Sequence, residues 1–535
     1  MTELATRKGR YEVGEEIGLT LRREGEALGA DGVEITLTRL ESVVGKFRFA
    51  LEEAAEAGLT LPPQGSGCYG VQARLLQGEE TADWASAAVN VGGNVVRYGF
   101  LSDFLPEDDS DVESMAKYHI DHVQFYDWSY RHDSLVAPAE EYTDMMGKRN
   151  SLPVIRQKIR ACRERGMLAM AYGAVYAASQ GFWESHRPWG LYTHGGRPMV
   201  FIGTFYYMDV ESPWREHLFR QYLDAVEKVG FDGIHMDTYG EPKRALTESG
   251  AFRELERGLP ALIRDADSAM RAEGHDPHLI FNNVGAWPVE ATGAEPQDAL
   301  YMELWPPMDR YRHLREAVRR AEPFGKPIVL AAYPAAFRTD TPQRALYGEL
   351  ILSFAIALCG ATQLFLGEKD CVTTQGYYAD YTRLEPWQAA KIKAYQDFFV
   401  RYQELLFDRA LRDVSLTHSG GDNREYGCDI PHSLEGEGDR LWLTLREGGG
   451  RKLIGLVNLR GNDDFWNTGK EKPQPLENLT LRILTLAPVQ ALWFATPDEG
   501  MGAPVPLPFS QKDTEYGLEL TVCIPRLDCC GLLWL

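Results

Sequence analysis

The sequence predicts a multidomain protein built around a central (β/α)8 TIM barrel, with an N-terminal β-sandwich and a C-terminal β-sandwich on either side. Three observations carry this expectation. The chain has 535 residues, more than one hydrophobic core organises. Its middle alternates apolar strand-like runs with amphipathic helical stretches, the pattern of repeated β-α units on a parallel sheet. Both ends instead show short alternating runs punctuated by Gly, Pro and acidic turns. The expected boundaries are 1–92, 93–410 and 411–535.

In chain order, the first segment offers Ile17–Leu21, Val33–Thr38, Lys46–Leu51, Gly70–Leu75 and Ala87–Val91 as strands. The barrel strands are expected at Val95–Leu101, His122–Trp128, Leu168–Tyr176, Asp232–Tyr239, Leu279–Gly285, Ala299–Trp305, Pro327–Tyr333 and Ala361–Glu368. Eight such strands close a barrel. Helical patterns lie between them at Leu152–Arg165, Trp214–Val229, Leu255–Ala272, Asp309–Ala321 and Pro342–Cys359. A doubly wound sheet also alternates strands and helices, but the strand count and the lack of a Gly-rich first turn disfavour it. The last segment offers Leu441–Leu445, Lys452–Leu459, Leu479–Leu484, Val489–Phe494, Leu518–Ile524 and Gly531–Leu535.

Charge excludes some partners. There are 78 acidic against 56 basic residues, a net charge of −22, with no Lys/Arg block to offset it. Such a chain repels nucleic acid and anionic membrane surfaces. No run of about 18 apolar residues offers a membrane span. The start, Met1-Thr-Glu-Leu-Ala, lacks the apolar centre of a signal peptide, so a cytoplasmic location is expected unless a leader has been removed. The eight cysteines form no C-x-x-C pair and do not gather near His, which favours reduced thiols over a zinc site. Oligomeric state is left open.

Active sites of such barrels lie at the carboxyl ends of the strands. In Gly233-Ile-His-Met-Asp-Thr-Tyr, Ile234 and Met236 share one face, and His235 and Asp237 share the other. In Leu300-Tyr-Met-Glu-Leu-Trp, Met302 and Leu304 oppose Tyr301 and Glu303. The apolar faces should meet helices, leaving both acids pointing into the barrel mouth. Two inward carboxyls on next-nearest strands can approach to about 5–5.5 Å, the spacing of a retaining glycosidase pair. The longer Glu303 suits proton donation, and the shorter Asp237 suits nucleophilic attack.

The surroundings imply a sugar ligand. Aromatic rings stack on sugar faces while polar groups bind hydroxyls. The connection from Ala177 to Pro213 carries Phe182, Trp183, Trp189, Tyr192, Phe201, Phe205, Tyr206 and Tyr207, of which Phe201 and Phe205 read as loop packing. Substrate-binding candidates are Asp103, Tyr126, Asp127, Trp128, Arg131, His132, Tyr176, Tyr239, Asn283, Trp305 and Glu368. His235-x-Asp237 could instead ligate a metal, but His132 is the only other histidine near enough to help, so no metal and no cofactor is expected. A non-catalytic carbohydrate-binding protein would need no second inward acid.

The strings Tyr98-Gly-Phe-Leu-Ser-Asp-Phe, Val123-Gln-Phe-Tyr-Asp-Trp-Ser-Tyr-Arg-His-Asp, Gly230-Phe-Asp-Gly-Ile-His-Met-Asp-Thr-Tyr-Gly and Tyr301-Met-Glu-Leu-Trp resemble glycoside hydrolase family 66. That family comprises endo-dextranases and cycloisomaltooligosaccharide glucanotransferases. The resemblance implies a leading immunoglobulin-like domain, a barrel and a trailing sandwich. It also implies retaining, metal-independent chemistry on α-1,6-glucan, with Asp237 as nucleophile and Glu303 as acid/base. Its implied substrate is dextran or isomaltooligosaccharide, with hydrolysis expected over cyclisation. Cyclising relatives carry a carbohydrate-binding module within the barrel region, whereas the connection from Ala177 to Pro213 is too short for one. Pro306-Pro307, directly after the Glu303 string, departs from the family pattern, as does the lack of a leader peptide and long flanking regions.

Overall fold

The computed structural model describes residues 2–535. Eight parallel strands run in chain order around the centre. They are β1 (Tyr98–Leu101), β2 (His122–Phe125), β3 (Leu168–Ala174), β4 (Gly233–Asp237), β5 (His278–Val284), β6 (Ala299–Glu303), β7 (Ile328–Ala331) and β8 (Thr362–Gln363). The ring is nearly closed. Phe100 N donates to Leu366 O at 3.1 Å, and Thr362 Oγ1 donates to Val96 O at 2.7 Å, tying the last strand to the first.

Side-chain alternation divides the barrel into two apolar layers. Tyr98, Phe100, Met170, Ile280, Tyr301, Val329 and Leu364 fill the lumen. Ile234, Met236, Leu300, Met302 and Leu330 point outward to the helices. These helices include α1 (Leu152–Glu164), α2 (Trp214–Asp224), α3 (Gly258–Ala272), α4 (Tyr311–Ala321), α5 (Pro342–Leu358) and α6 (Pro386–Arg401). Helix α5 starts on a Thr341 cap with Pro342 in its first turn, a pairing that satisfies an orphan amide and needs none from the proline. It is buried nearly all round because the C-terminal domain covers its outer side: a Cβ on Gly348 would meet Thr468 O at 2.8 Å.

The N-terminal part packs a three-stranded sheet (Glu3–Thr6, Ile17–Arg22, Glu56–Leu61) on a four-stranded antiparallel one (Gly32–Arg39, Ser42–Ala50, Gly67–Gln77, Glu80–Val91) around one apolar core. Helix α6 leans on it, with Asp397 accepting from Ala88 N and Arg401 donating to Thr38 Oγ1. The C-terminal part packs a seven-stranded against a four-stranded sheet, again over a shared core. All eight cysteines are free thiols. No described helix is long and apolar enough to cross a membrane.

Several strands are shorter than the apolar runs that announce them. The second ends at Phe125, before Trp128. The eighth is two residues long, and Glu368 lies beyond it in a single tight turn. Helix α2 closes in a π-turn over Ala225–Val229 instead of continuing as regular α-helix.

Candidate active site

Asp237 and Glu303 are the last residues of β4 and β6, and both sit part-exposed at the cleft floor. Strand β5 lies between them, and its inward Asn282 bridges the gap. Asn282 Nδ2 donates to Asp237 Oδ1 at 2.7 Å and to Glu303 Oε2 at 3.2 Å. One nitrogen touching both oxygens keeps them closer than the roughly 6.5 Å at which inverting pairs begin.

Two phenols complete the support. From β3, Tyr172 OH donates to Asp237 Oδ2 at 2.7 Å. From the residue two past β7, Tyr333 OH donates to Glu303 Oε1 at 2.6 Å. Burial raises both phenols well above their ordinary value, so each remains a proton-bearing donor. Tyr378 backs this arrangement, its hydroxyl 2.8 Å from that of Tyr301 and 3.0 Å from that of Tyr333.

The electrostatics bear on Asp237. Burial, and then the charge of Glu303, pushes the Asp237 carboxyl up to about 7. Hydrogen bonds from Tyr172, Asn282 and the Thr238 backbone pull the other way, favouring the ionised form. Beneath the two carboxyls His235 is buried, pushed down to about 3 by desolvation, and its Nδ1 shares a hydrogen bond with Tyr98 OH at 3.0 Å. It is a neutral floor residue, committed to Tyr98.

The other sequence-selected residues separate into groups. Tyr126 and His132 pack on the Tyr172 ring, at 4.9 and 5.9 Å between centroids, and so border the pair. Asp127 lies beside His132 and Asp144 in a small recess, its carboxyl raised to about 7 by burial first and by Asp144 and Asp237 next. Trp305 is 40% exposed at the rim, its ring 5.4 Å from that of Tyr333. Tyr176 and Tyr239 form a buried cluster with Tyr207 at the ends of β3 and β4. Arg131 faces away, donating to the Tyr130 and Thr143 carbonyls and lying 4.1 Å over the Tyr130 ring. Asp103 accepts from Tyr381 OH at 2.6 Å and neighbours Lys369.

Three candidates lie away from the pair. Trp128 is 0% exposed: Asp127 takes a left-handed φ of 49°, which turns the next side chain into the helix layer against Phe231. Asn283 is also 0% exposed, bonded to Tyr301 O and Thr292 Oγ1 behind the sheet. It is Asn282 that faces the lumen. Glu368 is buried in an ion pair with Lys158 at 2.7 Å. It gathers with Asp103 and Asp108, but Lys158 and Lys369 already supply the cations for these three acids.

Tyr172, Asn282, Tyr333 and Tyr378 were absent from the sequence-derived set. The first three carry a signal in plain alternation, since Met170, Ile280 and Ala331, each two residues earlier, are lumen residues. Tyr378 comes from a loop, where no periodicity points.

The sequence profile of glycosyl hydrolase family 66 matches residues 6–530. The chain belongs to that family. A cycloisomaltooligosaccharide glucanotransferase of Niallia circulans is 21% identical to this family member over 99% of the present chain and 72% of its own length. That match spans 696 positions, more than the 535 residues here, so the relative carries insertions within the matched stretch. A dextranase of Streptococcus salivarius is 21% identical over 87% of the chain, which spans 65% of that relative. The crystal structure of a Paenibacillus sp. cycloisomaltooligosaccharide glucanotransferase complexed with cycloisomaltoheptaose superposes with a TM-score of 0.89 over 100% of both chains, at 18% identity. At that identity the likeness speaks for the fold. Family membership makes this chain a glycoside-active enzyme.

Proposed function

We propose that the protein is a retaining α-1,6-glucan hydrolase that cleaves dextran or isomaltooligosaccharides, with Asp237 as nucleophile and Glu303 as acid/base. The observation that carries this reading is the single Asn282 amide bonded to both carboxylates, which supports a separation below the inverting range and suited to double displacement. In the first step Glu303 gives its proton to the glycosidic oxygen as an Asp237 oxygen attacks C1. The C1–O bond breaks and a glycosyl ester forms. In the second, Glu303 takes a proton from water, whose oxygen attacks C1 and releases Asp237. Tyr172 and Asn282 hold the nucleophile's charge and orientation, and Tyr333 fixes the acid toward the leaving group. These residues need no metal for either step.

Cyclisation is the rival outcome, and the named relatives keep it in view. It needs the 6-hydroxyl end of a long glucan to reach the ester before water does. The connection from Ala177 to Pro213 is too short for a folded module that would grip such a chain, which supports hydrolysis. Incubation with dextran, followed by mass spectrometry and early proton NMR, tests both points. Linear oligomers released first as α-anomers are expected. A dominant series lighter by one water would establish transfer, and β-anomers would exclude retention. An absence of turnover on any α-glucan would leave a non-catalytic binder.

A further inference from the structure

A row of aromatic rings crosses the catalytic pair and comes out at the surface on both sides. From Tyr333, which bonds Glu303, it reaches exposed Trp305. From Tyr172, which bonds Asp237, it passes through His132 (5.9 Å) and Phe205 (5.3 Å) to Phe201 (6.4 Å, stacked). Phe205 is buried, but Phe201 is 46% exposed. The loop-packing reading therefore fits Phe205 and fails for Phe201.

Phe201 stands at the tip of a hairpin. Strand Val200–Phe201 pairs with Phe205–Tyr207, which in turn pairs with Ala177–Ala178 just beyond the strand that carries Tyr172. The arm is thus anchored to the wall of the active site. Thr204 N donates to Phe201 O at 3.1 Å, closing a turn within the three-residue loop Ile202–Thr204, with φ of 45° at Ile202 and 76° at Gly203. Such a turn favours Asn-Gly, and a β-branched residue rarely takes this conformation. Here Ile202 occupies the position and leaves its side chain 56% exposed, with Val200 also exposed beside it. Local physics would place a polar residue at this tip. The sequence spends conformational strain to put an apolar one into water, which points to something that covers it.

We propose that the Val200–Phe201–Ile202 tip is a distal docking platform for the glycone arm of a polymeric α-glucan, making the enzyme favour long chains. The inference rests on the proposed hydrolysis of α-1,6-glucan. In that reaction the leaving sugar lies on the Glu303 side, so rings that lead away from Tyr172 follow the other arm of the chain. Sugar rings present apolar faces that stack on exposed aromatic and aliphatic surface. The buried rings of His132 and Phe205 brace the hairpin against Tyr172, so the exposed tip stands at the outer end of the wall that supports the nucleophile.

The test compares wild type, Phe201→Ala and Ile202→Asn, the last a change the turn itself prefers, so the hairpin is kept. The measurements are kcat/KM on dextran and on an isomaltooligosaccharide length series, mobility retardation in dextran-containing native gels, and molar mass by light scattering. The long-to-short ratio of kcat/KM should fall about fivefold to tenfold in both variants, with retardation weakened in parallel. An unchanged ratio, or equal losses on short and long substrates, would overturn the platform. So would a wild-type dimer that becomes monomeric in the variants, since the tip would then be a contact between copies. Wild type that never cleaves dextran, yet is retarded by it through Phe201, would sink the hydrolase reading and leave the docking site standing. Wild type that is neither active nor retarded would sink both.

Discussion

Replacing Asp237 with Asn should make the protein inactive and, at alkaline pH, more stable. The wild-type carboxyl moves from an ordinary 3.8 to about 7 in the fold, chiefly through burial. A group that holds its proton more tightly when folded gives no penalty below the unfolded value. Stability is then lost as pH rises from about 4 through about 7, where the fold must accept the charge. Three pH units correspond to about 4 kcal/mol at full effect. Asp237 is part-exposed to the cleft, so water screens some of this, and about half is a fairer figure. Asn keeps one acceptor, so one of the bonds from Tyr172 and Asn282 is lost, at a cost of about 1 kcal/mol. The balance is a gain of about 1 kcal/mol at pH 8 and near parity at pH 4, where the folded wild-type carboxyl is itself protonated and accepts no more than Asn does. Urea unfolding of both proteins at the two pH values, followed by hydrogen exchange of β4 and β5 amides, measures the difference. A stability difference of the same sign and size at pH 4 and pH 8 would refute the claim that this carboxylate is held in the fold against its preference.

Four further outcomes are expected. With an α-isomaltosyl fluoride, Glu303→Gln removes the charge that helps raise Asp237, so the acid limb of the glycosylation rate should move below pH 7, while remaining above pH 4 because burial persists. Azide should rescue Glu303→Ala as the α-glucosyl azide, whereas a β-azide would assign Glu303 as nucleophile. Trp305→Ala removes an exposed ring beside Tyr333 on the leaving-group side, and should lower the ratio of transfer to hydrolysis products at high substrate without lowering hydrolysis of the fluoride more than a few-fold. Glu349 is a fully buried acid that burial raises well above its ordinary range, with Gln363 as its hydrogen-bond partner at 3.3 Å. Glu349→Gln should match wild-type stability near pH 4 and exceed it increasingly as pH rises above that, as read by thermal unfolding.

The fates of Asn282 and Asn283 show what the sequence could and could not reveal. All eight barrel strands were legible as apolar runs because burial on two faces demands them. Within β4 and β6 the side-chain period also placed Asp237 and Glu303 inward, since Ile234, Met236, Leu300 and Met302 declare the outer face. In β5 the adjacent asparagines look alike, and the choice needs the phase set by Ile280, which sits in the lumen two residues before Asn282. That phase was available and simply has to be carried to the strand's end. It fails where strands stop. Trp128 continues the apolar run of β2, but the left-handed turn at Asp127 reverses its direction, and nothing in the run marks where pairing ends. Loops lose the signal altogether. Glu368 lies past β8 with a partner, Lys158, 210 residues away, a contact created by barrel closure alone. Tyr378 reaches Tyr301 and Tyr333 from the same stretch for the same reason. Local periodicity therefore finds the residues that a strand delivers. The groups that tune those residues arrive across the ring, and their identity waits on closure of the barrel.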